Sequence, residues 1–132
     1  MNLKNCIALS LIPLSMSVLA SDYVCTTMGG YAIGTEGASQ YSSVWLSKYQ
    51  PKVLVLEKTD GITLSRCSYS PSAKKETCDS YRVDVVKLDA YVGHRKFYVF
   101  GSQFDVQIFS NNSFIENNGR GGVAYGQCAL LD

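Results

Sequence analysis

Phe104, Val106 and Ile108 alternate with Asp105 and Gln107, the two-residue period of a strand with one face in a core and the other in water. Asn111 and Asn112 interrupt the pattern, residues 113–116 resume it, and 117–122 break it again with asparagine and glycine. Residues 123–128 then close it on Cys128. Strands this short, separated by turns this tight, read as an antiparallel meander, and its apolar face has to be buried in a closed barrel or a two-sheet sandwich. That requirement constrains the rest of the chain.

The upstream sequence supplies the strands. Residues 22–28 surround Cys25 with β-branched and aromatic residues, and 34–43 read as a small, polar loop or irregular hairpin. Residues 41–49 fit either a short helix with Val44, Trp45, Leu46 and Tyr49 on one face, or a strand ending before Pro51; the strand is favoured. Val53, Leu54, Val55 and Leu56 form a continuous apolar run, as in a strand buried on both faces. Asp60-Gly61 marks a hairpin, because glycine accepts the positive φ of the turn, and 62–69 return as its partner. Residues 70–76, with Pro71 and two adjacent lysines, read as a solvated connection. In 81–91, Val83 and Val85 share one parity while Val86 and Leu88 share the other, which predicts a bulge near Val85. Gly93 to Lys96 read as a turn before the final meander. The expectation is an all-β domain, a small antiparallel barrel or two-sheet sandwich of about seven to nine short strands. Strands of an outer-membrane barrel need about ten residues and an unbroken lipid face, which these lack.

The N-terminus differs in kind. Lys4 precedes an apolar stretch, and Val18-Leu19-Ala20 offers the small or branched residues that a signal peptidase reads. Residues 1–20 are therefore expected to be a secretory signal peptide, and 21–132 a single domain in the periplasm or outside the cell, with no stable membrane insertion after signal removal. Loss of Lys4 leaves eleven basic against eleven acidic residues. A neutral chain has no general attraction for nucleic acid, so no nucleic-acid partner is expected. Cys25, Cys67, Cys78 and Cys128 remain, an even number in an exported chain, which points to two disulfides with three possible pairings. Cys67 with Cys78 and Cys25 with Cys128 are favoured, worth roughly 3 and 5 kcal/mol in the chain-entropy model. No Cys-x-x-Cys pair is present to suggest a metal site.

Catalytic signals are sparse. His94 is the single histidine and sits beside Arg95 and Lys96, as surface residues do. No Gly-x-Ser-x-Gly elbow occurs, and nucleophile–base arrangements lack a second histidine. Glu36, Glu57, Asp84, Asp89, Asp105 and Glu116 read as solubilising charges on strand exteriors. No enzyme activity and no cofactor are expected. The loop Asn117-Asn118-Gly119-Arg120-Gly121-Gly122 presents an arginine among glycines, suited to an anion or carboxylate; its bland alternative is a hairpin with Arg120 paired to Glu116. It has neither the Lys-Ser/Thr ending nor the following helix of a P-loop. Nine tyrosines are spread along the chain, a residue common both in strands and in binding surfaces.

An export signal, a Tyr23-Val24-Cys25 opening, a short-stranded β domain and Cys128 near the end resemble the periplasmic inhibitors of c-type lysozyme. Gly37-Ala38-Ser39-Gln40-Tyr41, preceded by Thr35 and Glu36, is the nearest match to that family's Ser-Gly-x-Gly-Ala-x-Tyr loop. It has one residue too many before the tyrosine and lacks the basic residue, so no inhibitory residue is carried across. The resemblance implies a small barrel that binds a wall-directed enzyme such as a lysozyme. The expected function is that of an exported protein-binding module, an inhibitor or immunity protein against a cell-wall hydrolase, with Gly37, Tyr41 and Arg120 at the contact. The alternative is a barrel that carries a small apolar ligand.

Overall fold

The computed structural model describes residues 22–131; the expected signal peptide, its exit site at Ser21 and Asp132 lie outside them. In chain order the elements are β1 (Asp22–Gly34), β2 (Gly37–Gln40), α1 (Ser43–Tyr49), β3 (Lys52–Lys58), β4 (Gly61–Ser70) and β5 (Lys75–Arg82). They continue with β6 (Val85–Asp89), β7 (His94–Val99), β8 (Phe104–Ile108), β9 (Ser113–Asn117) and β10 (Gly122–Leu131). All pairings are antiparallel, in the order β5-β4-β3-β1-β10-β9-β8-β7-β6, with β2 hairpinned onto β1. The fold is all-β, with ten strands in one sheet among the described residues.

The sheet curls on itself without closing into a barrel, and it does not split into a sandwich. Its edges are β5 and β6, which follow each other in the chain but pair with different neighbours. The switch falls at Val83 and Asp84, whose N–H groups donate to Ile62 of β4 and Tyr98 of β7. The parity slip expected as a bulge near Val85 is therefore a change of partner strand. The bulge that does occur lies at Thr27–Gly29, where β1 changes register against β10.

Register sorts the side chains. Tyr23, Val55, Leu64 and Tyr81 form one row across four strands, and Ala124, Glu116, Val106 and Phe97 form another on the far side of β1. These rows share the inner face, where Leu64, Val106 and Phe114 are almost wholly excluded from water. β3 shows why one curled sheet suffices. Val53 and Val55 are buried while Leu54 and Leu56 are only half-buried, so the run expected to be covered on both faces is covered on one.

Both disulfides tie residues directly opposite each other, Cys25 to Cys128 across β1–β10 and Cys67 to Cys78 across β4–β5. The first lies on the inner face at the middle of the sheet; the second lies on the outer face beside the β5 edge. Disulfides of this kind persist in oxidising compartments. Among the described residues no helix is long and apolar enough to cross a membrane.

Residues 43–49 are helical, against the favoured strand. Ser42 caps the helix by accepting a hydrogen bond from the Trp45 N–H at 3.0 Å, and Gln50 ends it in the left-handed region before Pro51. The four-residue spacing of Tyr41, Trp45 and Tyr49 stacks their rings, with centroids 4.8 and 5.4 Å apart. Local capping and this stack outweigh the strand preference.

Candidate functional site

One end of the inner face is polar. Arg66 continues the apolar parity of Leu64 on β4, and Glu116 continues that of Phe114 on β9. Their strands stand four places apart in the sheet, yet Arg66 Nε lies 2.7 Å from Glu116 Oε1. Only a rolled sheet brings them together, so the ion pair spans the interior. The guanidinium also lies over the ring of Phe104 on β8, 5.4 Å from its centroid. Burial raises the Glu116 carboxyl above the usual glutamate range, and the attraction and hydrogen bond of Arg66 offset this only in part. Glu116 was expected among exterior charges; it is instead nearly fully buried, because its parity in β9 is that of the core.

Three grooves meet at Arg66. A cleft of about 270 Å³ runs between α1 and the sheet, lined by Trp45, Tyr49, Lys52, Arg66, Asp79 and Glu116 among others. A narrow neck beside it is bounded by Thr27, Tyr41, Trp45, Arg66, Glu116 and Asn118. Beyond Arg66, a cleft of about 220 Å³ is lined by Tyr81, Phe100, Gln103, Phe104, Asn118 and Arg120. Arg66 is the residue common to all three.

The walls are positioned by local chemistry. Tyr41 donates its N–H to the Gly30 carbonyl and lies against Gly30, where a Cβ would collide with its ring. Its hydroxyl pKa is raised, first by burial and then by the Glu116 charge, so it remains a donor at neutral pH. The 117–122 loop folds around Asn118, whose side-chain oxygen accepts from the N–H groups of Arg120 and Gly122 at 2.8 and 2.9 Å. Gly119, at φ +71°, passes so close to Gln103 that a side chain would strike its carbonyl oxygen. Arg120 is left exposed on the rim of the cleft and is not the partner of Glu116, a place taken by Arg66.

Of the three expected contact residues, Tyr41 and Arg120 thus flank the grooves that meet at Arg66. Gly37 does not line them. It is exposed at the tip of the β1–β2 hairpin, which runs past the 117–122 loop where the Ile33 N–H bonds Gly121. His94, expected in a solvated turn, opens β7 half-buried, with Nδ1 3.0 Å from Gln107 Nε2 and its ring edge-on to Phe109. Glu76 approaches Cys67 and Cys78 closely enough to suggest a metal cluster, but both sulfurs are committed to the disulfide.

Sequence reasoning missed Arg66, Asp79, Glu116 and the role of Trp45. The signal that marks the ion pair is a charged residue on the apolar parity of each of two strands, with opposite signs. No protein-family model matches the chain, and neither the curated proteins nor the solved structures contain a significant match.

Proposed function

We propose that this chain is an exported binding module whose partner is a protein, a cell-wall hydrolase being the class expected, and that it engages that partner through the polar end of the roll. The observation that carries the reading is the convergence of Tyr41, Trp45, Arg66, Phe100 and Arg120 around joined grooves. Exposed aromatic rings and arginines are the side chains that dominate protein interfaces. Here Arg66 stands on β4 and Trp45 on the capped helix, while Tyr41, Phe100 and Arg120 stand in short connections of a fold tied by two disulfides, so little ordering cost accompanies binding.

Affinity capture by the oxidised protein, from a panel of lysozymes and other wall hydrolases, tests it. The expected result is a stoichiometric complex that Tyr41→Ala and Arg120→Ala each weaken about ten-fold or more while the melting temperature stays within about 2 °C. Failure of every hydrolase to bind at micromolar concentration would remove this reading. A second reading is supported by a separate cleft of about 180 Å³ at the seam, lined by Val55, Ile62, Val86, Leu88 and Phe97 with Glu57 and Arg95. A space near that volume with aliphatic walls accepts a benzene-sized ligand. Uptake of a fluorescent apolar probe, abolished by Leu88→Asp, would favour it.

A further inference from the structure

The two larger grooves that meet at Arg66 differ in charge, and the difference specifies a ligand that the protein-binding reading does not contain. The α1 groove carries Lys52 and Arg66 against Asp79 and Glu116, with the indole of Trp45 on its wall. Balanced charge beside an exposed ring disfavours an ion and suits a neutral ring bearing many hydroxyls. Carboxylates and guanidinium groups hydrogen-bond neighbouring hydroxyls, and an indole face packs against the ring's C–H face. The groove beyond Arg66 carries Arg66 and Arg120, the amides of Gln103 and Asn118, and no carboxylate among its lining residues. Two guanidinium groups with amide donors make a seat for an anion.

Arg66 belongs to both. Its Nε is held by Glu116 and its plane rests on Phe104, which fixes the orientation of the Nη groups. The guanidinium remains partly exposed, at 44% of the side chain, whereas Glu116 is at 7%. A buried carboxylate that orients a half-open arginine is a positioning arrangement of the kind preorganised sites use. The clefts, about 270 and 220 Å³, together fall within the range of small-ligand sites.

We infer that the joined grooves bind an acidic saccharide of about two rings, one sugar ring against Trp45 and its carboxylate between Arg66 and Arg120. Glu116 positions Arg66, and Asp79 and the Tyr41 hydroxyl serve the ring hydroxyls.

Trp45 is the only tryptophan of the chain, so its fluorescence reports occupancy directly. The probes are the disaccharide of N-acetylglucosamine with N-acetylmuramic acid and the neutral disaccharide of N-acetylglucosamine, which present the same rings with and without a carboxylate. Titration of the oxidised protein should give a saturable change in Trp45 emission. The acidic probe should bind about ten-fold or more tightly than the neutral one, as expected for a charge-assisted contact. Arg120→Gln, at an exposed position, should erase that preference and leave the melting temperature unchanged. Trp45→Phe, followed by calorimetry, should weaken both probes. Equal affinity for the two probes, a preference that survives Arg120→Gln, or no saturable response to either would overturn the inference. So would saturation by a capped glutamate tripeptide and by neither sugar, which would assign the arginines to a protein side chain. The titration contains no protein partner, so its outcome is independent of whether a hydrolase is captured.

Discussion

The inner face of this sheet has two halves that obey the same register and do opposite things. Around Val106, Phe114, Leu64 and the Cys25–Cys128 disulfide, water is excluded and every side chain is satisfied by contact. Along the same strands lie Arg66, Asp79 and Glu116, where grooves open and charge is held close to the core. The strand period decides which face a residue joins, but it does not decide how far along the strand the roll stays shut. The apolar half therefore carries the stability, and the polar half uses it to hold two opposite charges where a solvated chain would not keep them.

The disulfides test this division most severely, since one lies in the apolar half and the other on the outer face of the edge strands that carry Arg66 and Asp79. Replacing Cys25 and Cys128 by alanine opens a covalent loop with a sequence separation of 103, and a loss of about 5 kcal/mol is expected. Replacing Cys67 and Cys78, separated by 11 residues at the sheet edge, should cost about 3 kcal/mol. Urea unfolding under non-reducing conditions measures both. An edge pair that costs as much as the central one would show that the β4–β5 edge, beside the grooves, is as much a part of the stabilising core as the centre.

The next test is smaller and acts only on the polar half. Arg66→Ala leaves the Glu116 carboxylate buried without its cation, and about 2 kcal/mol of stability should be lost. That is less than for a fully buried pair, because 44% of the Arg66 side chain faces water. Replacing the pair together, Arg66→Met with Glu116→Leu, should return stability to within about 1 kcal/mol of the parent. Recovery in the double variant marks the ion pair as kept for the grooves. A double variant as unstable as Arg66→Ala would make it a structural tie.

How far these halves were legible follows from the same physics. The meander from Phe104 to Cys128 announced itself through alternation, and so did the Asp60-Gly61 hairpin, because strand period and turn chemistry are local. Failure of the sheet to close was not local. It depends on β5 and β6 choosing different neighbours around Val83 and Asp84, and in sequence that choice shows only as a parity slip. The helix at 43–49 is decided by its cap at Ser42 and its ring stack, which strand propensity does not register. Tyr41 and Arg120, read from their loops as contact residues, lie on the walls of the grooves that meet at Arg66. Arg66 and Glu116 are hard to see in sequence because a charge on a strand is ordinarily an outward one, and their meeting depends on the curl of the three strands between them.

The mildest test reads a slope. Burial raises the Glu116 carboxyl above its ordinary range more than Arg66 lowers it, so the folded chain holds that proton to higher pH than the unfolded chain does. A group of this sign contributes stability that is fully present below the unfolded value, near 4.5, and is lost as pH rises through the folded one. Asp105 is raised as well, by burial, with Lys96 opposing, and it is common to parent and variant. Melting temperatures of the parent and of Glu116→Gln, compared from pH 3 to pH 7, isolate the Glu116 contribution, because glutamine keeps an oxygen for Arg66 and does not titrate. The parent should lose stability relative to the variant as pH rises above 4.5. A flat difference would mean that the attraction of Arg66 matches burial, and one that grows in the parent's favour with pH that it outweighs burial. The polar half would then be held by its charges, in spite of the water that reaches Arg66, and would no longer depend on the apolar half for its shape.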